Sequence, residues 1–329
     1  MKYISKEHTQ TLLSKRDLSE NENHAIGILV NEIKESLEKK YGLKATIEKG
    51  QRLVSVADNY TNLGYKKDEV TLGERYTKYV SETEMLRTQM SSVIPSLLRN
   101  YKKDVDKLYM CPGLVYRRDV RDKTHVGEPH QMDVWLLTKV KQSREDLLGL
   151  VNSIVSVIEK NVKQKIVWRY NETSHNYTDD GIEVEINYKG KWLEVLECGL
   201  ISKELLRNHN LENYSGLALG MGLERLVMII KGIEDIRVLY DQRIQVASQM
   251  NNLKKYKAVS NQPAIKRDLS IAVDKSLNEE EITEKIMMTI DPKLSSIMEE
   301  IKVVAETNYE DLPQVAKERL GLNMKQKNV

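Results

Sequence analysis

Phenylalanine is absent from all 329 residues, where an ordinary chain of this size carries on the order of ten. Leucine, isoleucine, valine, methionine and 16 tyrosines must therefore fill the core. Cysteine is almost as scarce, with only Cys111 and Cys198. Two thiols without metal-ligand spacing exclude a disulfide framework and fit a reducing compartment, and the apolar segments around both read as buried strand. Neither charge dominates: 51 Lys and Arg face 49 Asp and Glu, a net charge of +2. That balance gives no general drive toward nucleic acid, so RNA binding would need local patches, Lys102, Lys103 and Lys107 or Lys325 and Lys327 being the candidates. Taken alone, each such cluster reads as solvated surface. No apolar run approaches membrane-spanning length, and MKYISKEHTQ lacks the apolar core of a secretory signal. A cytoplasmic protein is expected. There is also no phosphate-binding P-loop, no G-x-G-x-x-G after a strand, no repeat and no low-complexity tract, which argues against a doubly wound nucleotide-binding fold.

What is present alternates between two periods. HAIGILVNEIKESLEKKY places Ile26, Leu29, Val30, Ile33, Leu37 and Tyr41 at spacings of three and four, which predicts a helix over 24–41. Short strand-like runs follow, then a second helix expected over about 83–101. Ser143 with Asp146 three residues on reads as a capping box opening a helix that reaches about Val162. KIVWRY, GIEVEINY and KWLEVLECG read as strands, the last two joined as a hairpin with a glycine in its turn. Strands joined by hairpins, with helices set apart, predict an antiparallel α+β domain. After about residue 245 the chain becomes a polar connector, and a new unit begins at Lys266. There RDLSIAV reads as a strand, NEEEITEKIMMTI as a helix with glutamates at its N-terminal dipole, and EIKVVAET as a second strand. The expected division is 1–245, a linker at 246–265, and 266–329.

Two stretches carry the chemistry: GLVYRRDVRDKTHVGEPHQMDVW at 113–135 and GLALGMGLERL at 216–226. The first reads as a strand, a polar loop and a returning strand, with arginine, aspartate and histidine crowded near the turn. The second is a glycine-rich strand running into a helix that carries Arg225. Singly, each residue has a bland reading. Arg117 with Asp119 could be an ion pair on a solvated face, His125 an exposed loop histidine, and the glycines a tight packing joint. Together, an R-x-D strand, a T-H loop, an H-Q-x-D return strand and a G-x-G-x-E-R strand–helix fall in one order over roughly 110 residues.

That order resembles motifs 2 and 3 of the class II aminoacyl-tRNA synthetases, and its wording is most similar to the phenylalanyl-tRNA synthetases. The resemblance implies an antiparallel catalytic sheet flanked by helices over 1–245 and a ferredoxin-like anticodon-binding domain from 266. The chain stops at KNV, where the third strand of that domain should begin, so either the chain is cut short or the domain is incomplete. It also implies an ATP- and Mg2+-dependent ligase that makes an aminoacyl-adenylate and passes the amino acid to a tRNA, with homodimer or monomer left open. Attack of a carboxylate on the α-phosphate gathers negative charge, which calls for fixed arginines and a divalent cation in a pre-organised site. By resemblance, Arg117 binds the α-phosphate and substrate carboxylate, and Asp119 lies near the adenine amine on the same strand. His125 contacts the phosphates, Arg225 covers the adenine, and Glu194 helps hold magnesium and ATP. Gln131 and Asp133, two apart on a strand, match the pair that holds the α-ammonium, and Ser91 matches a serine of the same site.

The sequence departs from the family pattern where the substrate side chain should sit. The family's F-P-F is His175-Asn176-Tyr177, and its G-C-G-M is Glu197-Cys198-Gly199-Leu200. Gln89, Ile94, Pro129 and Val134 are further departures. In one explanation the pocket, lined by His175, Tyr177, Glu197 and Gly199, is tuned to a more polar amino acid. In the other, phenylalanine has been purged from the whole protein and the substrate is still phenylalanine or a close aromatic relative. Strand alternation puts Glu197 on the face opposite Glu194, turned from the site. A non-catalytic tRNA or amino-acid sensor is the remaining alternative, which the set Arg117, His125, Glu194 and Arg225 argues against.

Overall fold

Alternating apolar segments in the first 257 residues pair into a seven-stranded sheet. The structure, a computed structural model, describes all residues except 1, 67–68, 70–71, 74–75, 103–104, 119–121, 260–264, 296–297 and 299. Among the described residues, nine strands lie in the first part of the chain: β1 (Ala45–Ile47), β2 (Leu53–Ser55), β3 (Glu84–Leu86), β4 (Lys107–Leu114), β5 (His130–Thr138), β6 (Trp168–Glu172), β7 (Thr178–Tyr188), β8 (Lys191–Ile201) and β9 (Ser215–Gly222). The large sheet runs β1-β4-β5-β9-β8-β7-β6, and β2 pairs with β3 apart from it. Only β1 and β4 are parallel; the other pairs in the sheet are antiparallel. This is the α+β architecture the sequence predicts. Lys189 and Gly190, both with positive φ, close the β7–β8 hairpin, the turn that matches the twist of the flanking strands.

Helices Ala25–Tyr41, Arg144–Val162 and Leu223–Lys231 pack on one another and on the sheet. Ile26, Leu29, Ile33 and Leu37 are fully buried, as their spacing requires. Ser143 and Asp146 form the expected capping box. On the other face of the sheet, Tyr109, Cys111, Trp135, Leu137 and Ala218 pack against Met90, Val93, Ile94 and Leu98. Tyrosine and tryptophan occupy much of this layer. Both cysteines lie on buried strand, unpaired.

The single helix expected over 83–101 does not form. Glu84–Leu86 is β3, Met90–Val93 is a 3-10 turn and only Ile94–Arg99 is α-helical. Pro95 explains the late start, because a proline is tolerated only in the first helical turn. The expected connector is also partly folded, with Ile244–Ala247 helical and Ser248–Asn251 a 3-10 turn. Fully buried Lys231 donates to the carbonyls of Gln249, Asn252 and Lys254 and pins this segment.

A second compact unit comprises Arg118–Gly127 with Ala258–Val329. In it β10 (Ala272–Asp274), β11 (Thr307–Asn308) and β12 (Gln326–Asn328) form an antiparallel sheet in the order β10-β12-β11. RDLSIAV and EIKVVAET thus contribute only their ends as strand. Leu269 and Val304 are 71% and 85% exposed, so little apolar burial holds the remainder extended. The closing residues are not an unstarted strand: β12 is the central one, and Val329 exchanges both backbone hydrogen bonds with Ile271. Lys327 pairs with Glu306 at 2.7 Å and is buried, which removes it from the candidate basic patch. Asn278 and Glu281 cap helix Glu279–Thr289, and Arg118 lies 3.4 Å from Glu281.

Candidate active site

Glycines open a floor in the middle of the large sheet. Gln131 on β5 stands between Gly113 of β4 and Gly222 of β9, and its neighbour on the same face, Asp133, stands beside Gly220. A side chain at Gly222 would meet nothing within 4 Å, and one at Gly220 would meet only Asp133 Oδ1, at 3.5 Å. Strand periodicity aims Gln131 and Asp133 at this one space.

Asp133 is the focus of that floor. It is 3% exposed, and its Oδ2 accepts from Ser91 Oγ at 2.6 Å and more weakly from Trp135 Nε1 at 3.4 Å. Burial pushes its carboxyl up to about 6, against the pull of Ser91, Trp135 and Arg117. Ser91 Oγ also lies 3.2 Å from the Tyr177 hydroxyl. Tyr177 stacks with both Trp135 and His175, and burial raises its hydroxyl well above the usual range. Tyr65, pushed up to about 12 chiefly by burial, donates to Gln89 beside them. Tyr65 and Trp135 were not singled out from sequence. Tyr65 sits in an irregular segment with no periodicity to mark it, whereas Trp135, two residues after Asp133 on the same strand face, was legible.

Glu197 faces the floor after all. Val184 pairs with Leu196, but Glu185 pairs with Glu194, so Val195 is an extra residue in β8. This β-bulge shifts the alternation by one. Glu194 and Glu197 consequently share the face of Glu185 and Glu183, their cross-strand partners. The crowding shows in Glu183, whose carboxyl is raised by burial and by Glu194, Glu197 and Glu185. His175 Nε2 lies 3.1 Å from Glu197 Oε2, an ion-pair distance at which the ring nitrogen is not aligned for a hydrogen bond. His175, with Arg117 and Arg225 farther off, holds the Glu197 carboxyl below its usual range despite burial. Gly199 has a packing reason for lacking a side chain: a Cβ there would lie 2.6 Å from Thr178 Cβ.

Arg225 and Arg117 are the cations of the site. Arg225, in the first turn of helix Leu223–Lys231, donates to the Glu194 backbone at 3.0 Å and to its carboxylate at 3.2 Å. Arg117 is not on β4 as expected but three residues past it. There the chain leaves β5, with Tyr116 N donating to the Arg87 carbonyl, and Arg117 Nε donates to Thr88 O. Among the described residues no group of three His, Cys, Asp or Glu could hold a metal. Glu194 alone, 44% exposed, suits a magnesium ion whose other ligands are phosphate oxygens and water. His125 belongs to the second unit, where its Nδ1 lies 2.9 Å from both oxygens of Asp122. Asp119 lies outside the described residues. Of the predicted set, then, Ser91, Arg117, Gln131, Asp133, His175, Tyr177, Glu194, Glu197, Gly199 and Arg225 all lie in the first unit.

The model of the family described as tRNA synthetases class II core domain (F) matches residues 10–250. The chain is 30% identical over 250 residues to the phenylalanine--tRNA ligase alpha subunit of Hamiltonella defensa, covering 75% of this chain and 73% of the relative. It is 27% identical over 298 residues to the chloroplastic/mitochondrial phenylalanine--tRNA ligase of Arabidopsis thaliana, covering 87% and 68%. Among solved structures, a pyrrolysyl-tRNA synthetase from Desulfitobacterium hafniense aligns with a TM-score of 0.51 over 72% of this chain and 79% of its own, at 15% identity. That likeness is one of fold.

Proposed function

This chain belongs to the class II tRNA synthetase core family, and from that premise we propose that it activates phenylalanine or a close aromatic relative with ATP and transfers it to tRNA. The observation that carries the reading is the glycine floor, with a buried carboxylate at one end and an arginine–glutamate pair at the other. Asp133, held by Ser91, accepts the α-ammonium together with Gln131, and Arg117 orients the substrate carboxylate. One carboxylate oxygen bonds to the α-phosphorus as the bond to the bridging oxygen breaks, and pyrophosphate leaves with that electron pair. Arg225, braced on Glu194, lies flat over the adenine, a role that needs a planar guanidinium. Bound at Glu194, magnesium would neutralise phosphate charge. His125 and Asp119 are proposed contacts of the phosphates and the adenine. The expected compartment is the cytoplasm, which suits two unpaired thiols. No helix among the described residues is long and apolar enough to cross a membrane. Some relatives are named alpha subunits, so a second subunit is a partner to look for.

ATP–pyrophosphate exchange with each amino acid in turn, with Arg117→Ala as control, tests the proposal. Exchange with phenylalanine or another aromatic amino acid, lost in the variant, supports it; no exchange with any amino acid moves the reading to a sensor. The bulge at Val195 favours one second reading, in which Glu197 and His175 select a more polar amino acid. Such a site rejects an analogue lacking the matching group by orders of magnitude, so exchange confined to a polar amino acid, and relaxed in Glu197→Gly, would establish it.

A further inference from the structure

The ladder between β5 and β9 ends at Gln131 and Gly222, and one step beyond it a buried side-chain contact takes over. His130, fully buried, opens β5 next to Gln131, and Glu224, 2% exposed, stands in the helix next to Arg225. Glu224 Oε1 accepts from both the backbone N–H of His130, at 2.8 Å, and its ring Nδ1, at 2.7 Å. Tyr240 donates to the same oxygen and stacks on the His130 ring. On the far side, Leu18 N donates to His130 Nε2 at 2.9 Å, which places the ring proton on Nδ1. Asp17, 3.5 Å from Nε2, accepts from Leu114 N at the end of β4. The second Glu224 oxygen is buried without a partner. A core carboxylate with one idle oxygen costs about 1–3 kcal/mol, so a glutamate here is not explained by stability alone.

We infer that Glu224 and His130 form a strut that positions Arg225 and Gln131, tying the element that holds ATP to the strand that holds the amino acid. The inference rests on the ligase reading, though its consequence for ATP binding does not. Each strut residue precedes a site residue in the chain, so fixing the pair fixes the spacing between Arg225 and Gln131. Neither touches substrate; both act through their neighbours. Reacting groups displaced by about 1 Å lose about 10²-fold in rate, which is the sensitivity such a strut would serve.

The test measures pyrophosphate exchange and calorimetric ATP binding on the full chain, well below each variant's unfolding temperature. Glu224→Gln keeps the volume and an acceptor oxygen but loses the charge. It should stay folded and lower kcat more than it raises KM, by about tenfold to 10²-fold in kcat/KM. In an Arg225→Ala background it should cost less than in the wild type, because part of its effect runs through Arg225. His130→Asn, whose amide can replace the Nδ1 donor, should retain activity that His130→Leu loses. That contrast keeps the inference testable if Glu224→Gln fails to fold. Full multiplication of the Glu224→Gln and Arg225→Ala losses, or equal activity of the two His130 variants, would overturn the strut. Absence of exchange in the wild-type protein would instead overturn the ligase reading. The strut would then stand or fall on a calorimetrically measurable weakening of ATP binding by Glu224→Gln.

Discussion

Asp133→Asn should make the protein more stable and less able to bind its substrate. The carboxyl is buried with two donors on one oxygen, and burial raises it from 3.8 to about 6. Each unit is worth about 1.4 kcal/mol, so the ionised carboxylate costs the folded state about 3 kcal/mol at pH 7. The sign follows from the direction. The folded chain holds this proton more tightly than the unfolded chain, so the penalty is absent below about pH 4, grows through about pH 6 and is constant above. Asparagine is never charged and can still accept from Ser91. Urea unfolding should therefore show Asp133→Asn more stable than wild type by up to about 3 kcal/mol at pH 7, and equal to it near pH 4. Losing the charge-assisted bond to an ammonium costs about 1.5–3 kcal/mol, so KM for the amino acid in pyrophosphate exchange should rise about 10- to 100-fold. An advantage over wild type no larger at pH 7 than at pH 4 would refute the burial argument. Unchanged KM would refute the role in ammonium binding.

Gly220→Ala adds a methyl at ordinary contact distance from Asp133, so stability should change by less than about 1 kcal/mol while exchange falls because the floor is filled. Unimpaired exchange in that variant would remove the glycine floor from the site. Lys231→Met leaves three carbonyls without their buried donor and should cost about 1–3 kcal/mol, read by thermal unfolding. Ser143→Ala breaks the capping box and should cost about 1 kcal/mol without affecting catalysis. Changing His175 and Tyr177 together to Phe should raise exchange with phenylalanine if those residues merely replace purged phenylalanines. Collapse of that exchange, with another amino acid still activated, would show a tuned pocket.

Local patterns carried far in this protein. The 24–41 and 144–162 helices, the β7–β8 hairpin and the strand-to-helix step before Arg225 all follow from spacing, caps and a turn glycine, because those signals act within a few residues. The family motifs likewise needed only their order along the chain. Long-range pairing decided the rest. One extra residue in β8 turned Glu197 to the face of Glu194, and bulges are invisible to alternation because only the partner strand defines the register. Arg117 left its strand because the chain exchanges β5 for Arg87. His130 and Glu224, 94 positions apart in the chain, met only once β5 and the Arg225 helix were packed. The sequence by itself determined the family and the elements with strong local periodicity or caps. Tertiary structure decided which faces and neighbours the site residues share, since faces are set by hydrogen-bonded partners and burial rather than by residue type.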